Sequence, residues 1–267
     1  MRAHKHILYK VAVLLAAPLL LDLASCSDIS PNERTQYLRP ANVARGVLIE
    51  DFTGQRCLNC PNASNEIAKL QQQYGDSVVV AVGIHSGPLG FAGSSKLIGF
   101  ATDTGNDYYN HWKVPYQPAG MVDRHGVENY TSWAESVRNE LQKEAPIKLT
   151  VTNNFDSATR TLTVCATAYP LTNTSISGKL QLWLVEDSIT AYQKMPDGTN
   201  NFSYLHRHVF RKAINDAWGT AMPVPADNMA TATFSTPVPT DWNEKQLSVV
   251  AFLYNDSGVL QVITKHL

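Results

Sequence analysis

The hydrophobic pattern changes character three times along this chain. Arg2, Lys5 and Lys10 precede an apolar run from Val11 to Leu21 that is short for a bilayer span, the pattern of a targeting segment. Ser27 to Ala44 is polar, contains Pro31 and Pro40 and holds no period, which suits a tether. From Arg45 the pattern becomes that of a folded domain. Val47-Leu48-Ile49 with Phe52 predicts a short buried strand, and Ala63, Ile67, Leu70 and Tyr74 share one face of a helix that Gly75 closes. Ser77 to Ile84 is an almost unbroken β-branched run, as in a parallel strand covered on both faces.

Beyond Ser86 the chain is rich in Gly and Ser, with short helices expected at Lys96–Ala101 and Asp107–Trp112. Gly120–Asp123 and Val127–Tyr130 flank Arg124-His125-Gly126 as the arms of a hairpin. Ser132 and Glu135 read as a capping box, with Trp133, Val137 and Leu141 on one helix face and Pro146 just past its end. After Pro146 helical periodicity gives way to strands at Lys148–Thr152, Thr161–Ala168, Lys179–Glu186, Leu205–Arg211, Thr231–Ser235, Leu247–Leu253 and Val259–Lys265. That succession predicts an all-β sandwich of the immunoglobulin or fibronectin kind. The expected organisation is a signal segment at 1–25, a tether at 26–44, an α/β domain at 45–145 and the β-sandwich domain at 146–267.

Composition narrows the function classes. The 267 residues carry a formal net charge of −1 with no basic block beyond the N-terminus, so neither nucleic acid nor an anionic surface is indicated as a partner. Leu23-Ala24-Ser25-Cys26 resembles the lipobox of bacterial lipoproteins, which implies acylation of Cys26 (palmitate among the acyl groups), cleavage before it and a membrane anchor. Three cysteines remain in an oxidising compartment: Cys57, Cys60 and Cys165. Nothing in the sequence asks for a cofactor.

Cys57-Leu58-Asn59-Cys60 lies between a buried strand and an amphipathic helix, with Pro61 in the first turn. A cysteine there faces unpaired N–H groups and the positive end of the helix dipole, so its thiolate is favoured; Arg56 adds to the effect. The second cysteine is placed to resolve a mixed disulfide. The order strand, helix, strand, insert, hairpin, helix resembles the thioredoxin fold, and Val114-Pro115-Tyr116-Gln117-Pro118-Ala119 resembles its cis-proline loop, with Pro118 the better match than Pro115. Thioredoxins carry Trp before the first cysteine and Gly-Pro between the two, whereas this chain has Arg56 and Leu58-Asn59. The alternatives are a structural disulfide, or a metal site made of the two cysteines and a histidine such as His85. His206 and His208 alternate on one expected strand face, a poor metal pair on their own. Cys165 among Leu162, Val164 and Ala166 reads as a small buried residue, and Trp183 and Trp218 as core.

Ile49-Glu50-Asp51-Phe52-Thr53-Gly54-Gln55-Arg56-Cys57-Leu58-Asn59-Cys60-Pro61-Asn62-Ala63, taken with the lipobox, resembles the Bacteroidetes outer-membrane lipoprotein family named after a twenty-eight-kilodalton member. Ile84-His85-Ser86-Gly87, Val122-Asp123-Arg124, His208-Val209-Phe210-Arg211 and Trp218-Gly219 resemble it too. The resemblance implies a thioredoxin-like domain followed by a β domain, outer-membrane localisation, and a role as a surface adhesin or receptor. Two functions therefore stand. One is thiol–disulfide exchange on exported proteins, with Cys57 as nucleophile, Cys60 as resolving thiol and Pro118 facing the substrate. The other is a surface-binding module in which the Cys57–Cys60 pair is only a structural disulfide.

Overall fold

The strand, helix, strand opening is present in the structure, a computed structural model that describes residue 40 and residues 43–267. The signal segment, Cys26 and most of the tether lie outside the described residues. Strands β1 (Val47–Thr53) and β2 (Val79–His85) run parallel with every residue buried, as the unbroken apolar runs require. Helix α1 (Cys60–Tyr74) joins them and packs Ala63, Ile67 and Leu70 onto Val47, Ile49, Val79 and Ala81. It ends at Gly75, whose positive φ of 95° suits glycine and whose N–H donates to the Gln71 carbonyl.

The helix expected at 96–101 is absent. That segment is instead held by side-chain hydrogen bonds: the Phe100 N–H donates to Gln55 Oε1 at 3.2 Å, and Gln55 Nε2 donates to the Ile98 carbonyl at 2.9 Å. Helix α2 (Asp103–His111) begins earlier than the pattern indicated because Thr102 caps it, its hydroxyl accepting from the Gly105 N–H. Strand β3 (Ala119–Val122) pairs with β1 and with β4 (Glu128–Asn129), forming the expected hairpin. In α3 (Trp133–Leu141), Trp133 and Val137 are buried, but Ser132 makes no capping bond. The chain enters through a 3-10 turn at Tyr130–Ser132, so the extended backbone a cap needs has moved back to Asn129, whose side chain accepts from the Thr131 N–H.

The remainder is β-rich: β5 (Ile147–Asp156), β6 (Thr161–Pro170), β7 (Lys179–Glu186), β8 (Ile189–Lys194), β9 (Asn200–His206), β10 (Val209–Ala213), β11 (Thr220–Ala221), β12 (Ala230–Pro237), β13 (Leu247–Asn255) and β14 (Gly258–His266). Strands β12, β6 and β5 form one sheet, and its inward residues Leu149, Leu162, Val164 and Ala166 meet Leu180, Leu182, Val249 and Ala251 of β7 and β13. Strands β8 and β9 pair only with each other.

The boundary expected near Ala145 does not separate two domains. Among the described residues a single sheet runs β14-β13-β7-β10-β2-β1-β3-β4, and these residues belong to one compact unit. The physical reason is β10, which pairs parallel to β2 and antiparallel to β7; the Gly83 N–H donates to the His208 carbonyl at 2.7 Å. Without it both neighbours would carry open edges. The strand expected at 205–211 is consequently broken into β9 and β10, with His208 at positive φ between them.

Buried charges span the same seam. Arg124, in the β3–β4 turn, makes a paired contact with Glu50 of β1 (3.1 Å for both Nε–Oε2 and Nη2–Oε1) and lies over the rings of Phe252 and Tyr254 of β13. Arg45 reaches Asp123 at 2.9 Å, Glu140 at 3.0 Å and the Val259 carbonyl at 2.8 Å. Replacing Arg124 by Ala strands Glu50 in the interior and is expected to cost about 3–5 kcal/mol. The combined change Glu50→Leu with Arg124→Met should recover most of that in urea unfolding; a single variant as stable as the parent would contradict the assignment.

Candidate functional site

Strand β1 ends at Thr53, and the chain turns sharply at Gly54. A Cβ at residue 54 would stand 2.3 Å from the Leu89 carbonyl oxygen, so only glycine permits this approach. The same oxygen accepts from the Arg56 N–H at 3.1 Å. Cys57 lies in the turn and Cys60 is the first residue of α1; the two are joined by a disulfide with Cα atoms 5.4 Å apart. Leu58 and Asn59 between them face solvent, yet each cysteine is only 1 % exposed. The guanidinium of Arg56 lies over the Phe91 ring at 4.9 Å, a contact that the sequence did not suggest.

The cover over the disulfide is the β8–β9 hairpin. Gln193 Nε2 donates to the Cys57 carbonyl at 2.9 Å and to the Gly54 carbonyl at 3.3 Å. The Lys194 N–H donates to the Gln55 carbonyl at 2.8 Å, and Gln55 Nε2 donates to the Tyr192 carbonyl at 3.0 Å. Both glutamines are fully buried, so these bonds form where water does not compete. From the other side, the residue preceding Pro118 ties its loop down: Gln117 Nε2 donates to the Thr53 carbonyl at 2.7 Å and to the Ser86 carbonyl at 2.9 Å. The Gln117–Pro118 peptide is cis, and Pro118 is buried at the start of β3.

Beside Cys60 lies a cavity of about 790 Å³ between α1, the end of β2, the β8–β9 hairpin and the turn after it. Its wall includes Asp51, Cys60, Gln71, His85, Gln193 and His206, but not Cys57. Asp51 stands on the α1 side of β1 opposite Gly83 and Gly120, two neighbours without side chains. It is 2 % exposed, its Oδ1 has no hydrogen-bond partner, and burial pushes its pKa up to about 8. The carboxyl is therefore mostly protonated at neutral pH. His85 is 5 % exposed with Nδ1 unpartnered; burial, then the charges of His206 and Arg211, hold its pKa well below the usual imidazole range. Burial lowers His206 to about 4, while its Nε2 lies 3.2 Å from the Tyr192 carbonyl oxygen. The rings of His85 and His206 are edge-on at 5.4 Å, with Phe100 against both.

Some residues singled out from the sequence are placed elsewhere. His206 and His208 do not share a strand face: His206 ends β9, whereas His208 stands in the following turn at positive φ and bonds to Gln71 and Asp187, although both line the cavity. Cys165 alternates with Leu162, Val164 and Ala166 rather than joining them, so it is half-buried on the outer face of β6. Trp183 is fully buried and Trp218 partly so. Among the described residues, no group of three or more His, Cys, Asp or Glu side chains is arranged to hold a metal ion. Asp51 and the β8–β9 cover were missed. The signals were two acids inside a run read as a buried strand, and Pro196-Asp197-Gly198, a turn between Ile189–Lys194 and Asn200–His206.

Asp51 makes stability depend on pH. Its folded pKa of about 8 lies above the ordinary 3.8, so the folded state holds the proton more tightly and stability falls as pH rises through that interval, levelling above it. Asp51→Asn removes the titration. Relative to the parent, it should gain on the order of a few kcal/mol between pH 5 and pH 9, read from urea midpoints; parallel pH profiles would show that Asp51 ionises normally.

A family model described as outer membrane protein Omp28 matches residues 105–267. HBP35 of Porphyromonas gingivalis shares the fold, with a TM-score of 0.63 at 14% identity over 85% of this chain and 77% of that one. A protein of Agrobacterium tumefaciens gives 0.47 at 15% identity, over 84% of this chain and 95% of that one. A domain of the outer membrane lipoprotein Omp28 from Porphyromonas gingivalis gives 0.31 at 21% identity, over 45% of this chain and 86% of that one. No curated protein matches the chain. With more than half of its length matched by the family model, the chain belongs to the Omp28 family of outer membrane proteins.

Proposed function

We propose that this chain is a lipoprotein anchored through Cys26, with a thioredoxin-like first half that performs thiol–disulfide exchange on exported proteins. The observation that carries the reading is the Cys57–Cys60 disulfide at the start of α1, with the protonated carboxyl of Asp51 on the cavity wall that also holds Cys60. The β1-α1-β2 order and the tethered Pro118 loop support it.

In the reducing direction the Cys57 thiolate attacks a substrate disulfide, forming a mixed disulfide and releasing one substrate thiolate. Cys60 then loses its proton to Asp51, whose pKa of about 8 leaves a fraction of the carboxyl ionised near neutral pH, attacks Cys57 Sγ and releases the second substrate thiolate, restoring the Cys57–Cys60 bond. Asp51 delivers the proton back when the pair is reduced again. Because Cys57 is buried and Gln193 of the β8–β9 hairpin holds its carbonyl, a protein substrate reaches Cys57 only after the hairpin lifts.

A second reading is a surface adhesin or receptor in which the disulfide only stiffens the turn. The burial of both cysteines favours it, as does the hairpin's exposed Phe202, 61 % accessible. Exchange assays on the full chain carrying Cys165→Ser separate the two. Under the exchange reading Cys57→Ser abolishes turnover of a disulfide-bonded protein. Asp51→Asn slows it roughly a hundredfold, the low end of general acid–base contributions. Gln193→Ala speeds it by about tenfold, the factor matching ~1.4 kcal/mol of lost hydrogen bonding at the cover. No turnover by the parent chain, with a disulfide that resists reduction, hands the function to the adhesin reading. Separately, Cys26→Ser should move the protein out of the membrane fraction.

A further inference from the structure

The two cysteines of the disulfide are not equally placed. Cys57 is covered by Gln193 and the hairpin, and it forms no part of the cavity wall. Cys60 does, together with two buried polar groups that have unsatisfied atoms, Asp51 Oδ1 and His85 Nδ1. Buried polar atoms are ordinarily hydrogen-bonded, so two orphans on one wall mark a place where a polar ligand fits. The cavity's volume of about 790 Å³ suits a small molecule and is far too small for a folded protein. Its remaining lining offers the uncharged hydrogen-bonding groups of Ser64, Asn65, Gln71 and Gln72 of α1 to a ligand's amide functions, and Asp76 and Arg207 to its charged ends.

We infer that the cavity is the binding site of a low-molecular-weight thiol, which reduces the disulfide by attacking Cys60 while the hairpin stays in place. This rests on the exchange reading and reverses the order of the sulfurs for this one step. The thiol reacts as its thiolate, having given its proton to solvent, and His85 Nδ1, in the tautomer with hydrogen on Nε2, accepts a hydrogen bond from the ligand. The thiolate forms a bond to Cys60 Sγ, the Cys57–Cys60 bond breaks, and Cys57 leaves as the thiolate and takes a proton back from solvent. A second thiol attacks the mixed disulfide, freeing Cys60 as a thiol and leaving the small molecule as its own disulfide. Two thiols are oxidised and one protein disulfide is reduced, so electrons and protons balance. The small thiol thus recharges the pair through Cys60, and Cys57 spends the electrons on a protein disulfide.

The test uses the full chain with Cys26→Ser and Cys165→Ser, glutathione as the small thiol and a reduced thioredoxin as the protein dithiol. Acid-quenched reactions are mapped by mass spectrometry for the position of the glutathione adduct. The expected result is an adduct on Cys60. Oxidised glutathione should also react at least tenfold faster with the Cys57→Ser chain, through Cys60, than with the Cys60→Ser chain, through Cys57. Ala68→Trp, on the exposed face of α1 at the cavity rim, should slow reduction by glutathione tenfold or more at an unchanged unfolding midpoint. An adduct on Cys57, or a rate unaffected by Ala68→Trp, overturns the cavity route. Reduction by the protein dithiol alone overturns it as well, while leaving the exchange reading intact. Failure of both reductants overturns the two together.

Discussion

The arrangement of this protein depends on the backbone hydrogen bonds that β10 makes to both β2 and β7. Val209 pairs with Gly83 of β2 while Val209, Phe210, Lys212 and Ala213 pair with β7, and so link the parallel pair that carries the disulfide to the antiparallel strands of the C-terminal half. A strand in that position sets where the chain just before it can go. The β8–β9 hairpin returns to the sheet through a two-residue turn, and this brings Gln193 and His206 against the end of β1 and β2. Burial of Cys57 thus follows from a sheet pairing made by residues 209–213, far along the chain from the disulfide.

The charges in the interior reinforce the same junction. Glu50 and Arg124 belong to the first half, but the rings over which Arg124 lies, Phe252 and Tyr254, belong to the second. Arg45 likewise divides its donors between the carboxylates of Asp123 and Glu140 and the carbonyls of β14. Desolvating these ions carries a penalty that hydrophobic residues would avoid, so their worth lies in geometry: each partner is correct only when the two halves meet in one register. The cavity wall is built on the opposite logic. Asp51, His85 and His206 lack such counter-charges, and burial holds all three in their neutral forms around neutral pH. Three neutral polar groups on the wall next to a disulfide are suited to hydrogen-bonding uncharged groups.

Much of the fold was legible in the sequence. The buried run at Val47–Phe52, the 3.6-residue spacing of Ala63, Ile67 and Leu70, and the strands after Pro146 all reflect local periodicity, which needs no knowledge of the partner surface. The pair Cys57 and Cys60 before a helix, and the place of Pro118 before a strand, were readable for the same reason. The capping role of Ser132 was misread because a 3-10 turn ahead of α3 transfers the cap to Asn129. Cys165 was misread because neighbouring apolar residues along a strand point to opposite faces.

The domain boundary, the hairpin cover and the cavity were beyond reach by local reading. A strand's sequence shows that it will pair but not with which edge, so β10 could not be assigned to β2 from its own residues. By itself the sequence determined most of the elements and their order, the position of the cysteine pair at a helix start, and membership of a recognisable family. Only the tertiary structure decided which sulfur is covered, which lines a cavity, and which buried acids find a cation. Glu50 is paired and Asp51 is not, although they are neighbours in one strand, because alternate side chains of β1 enter different cores.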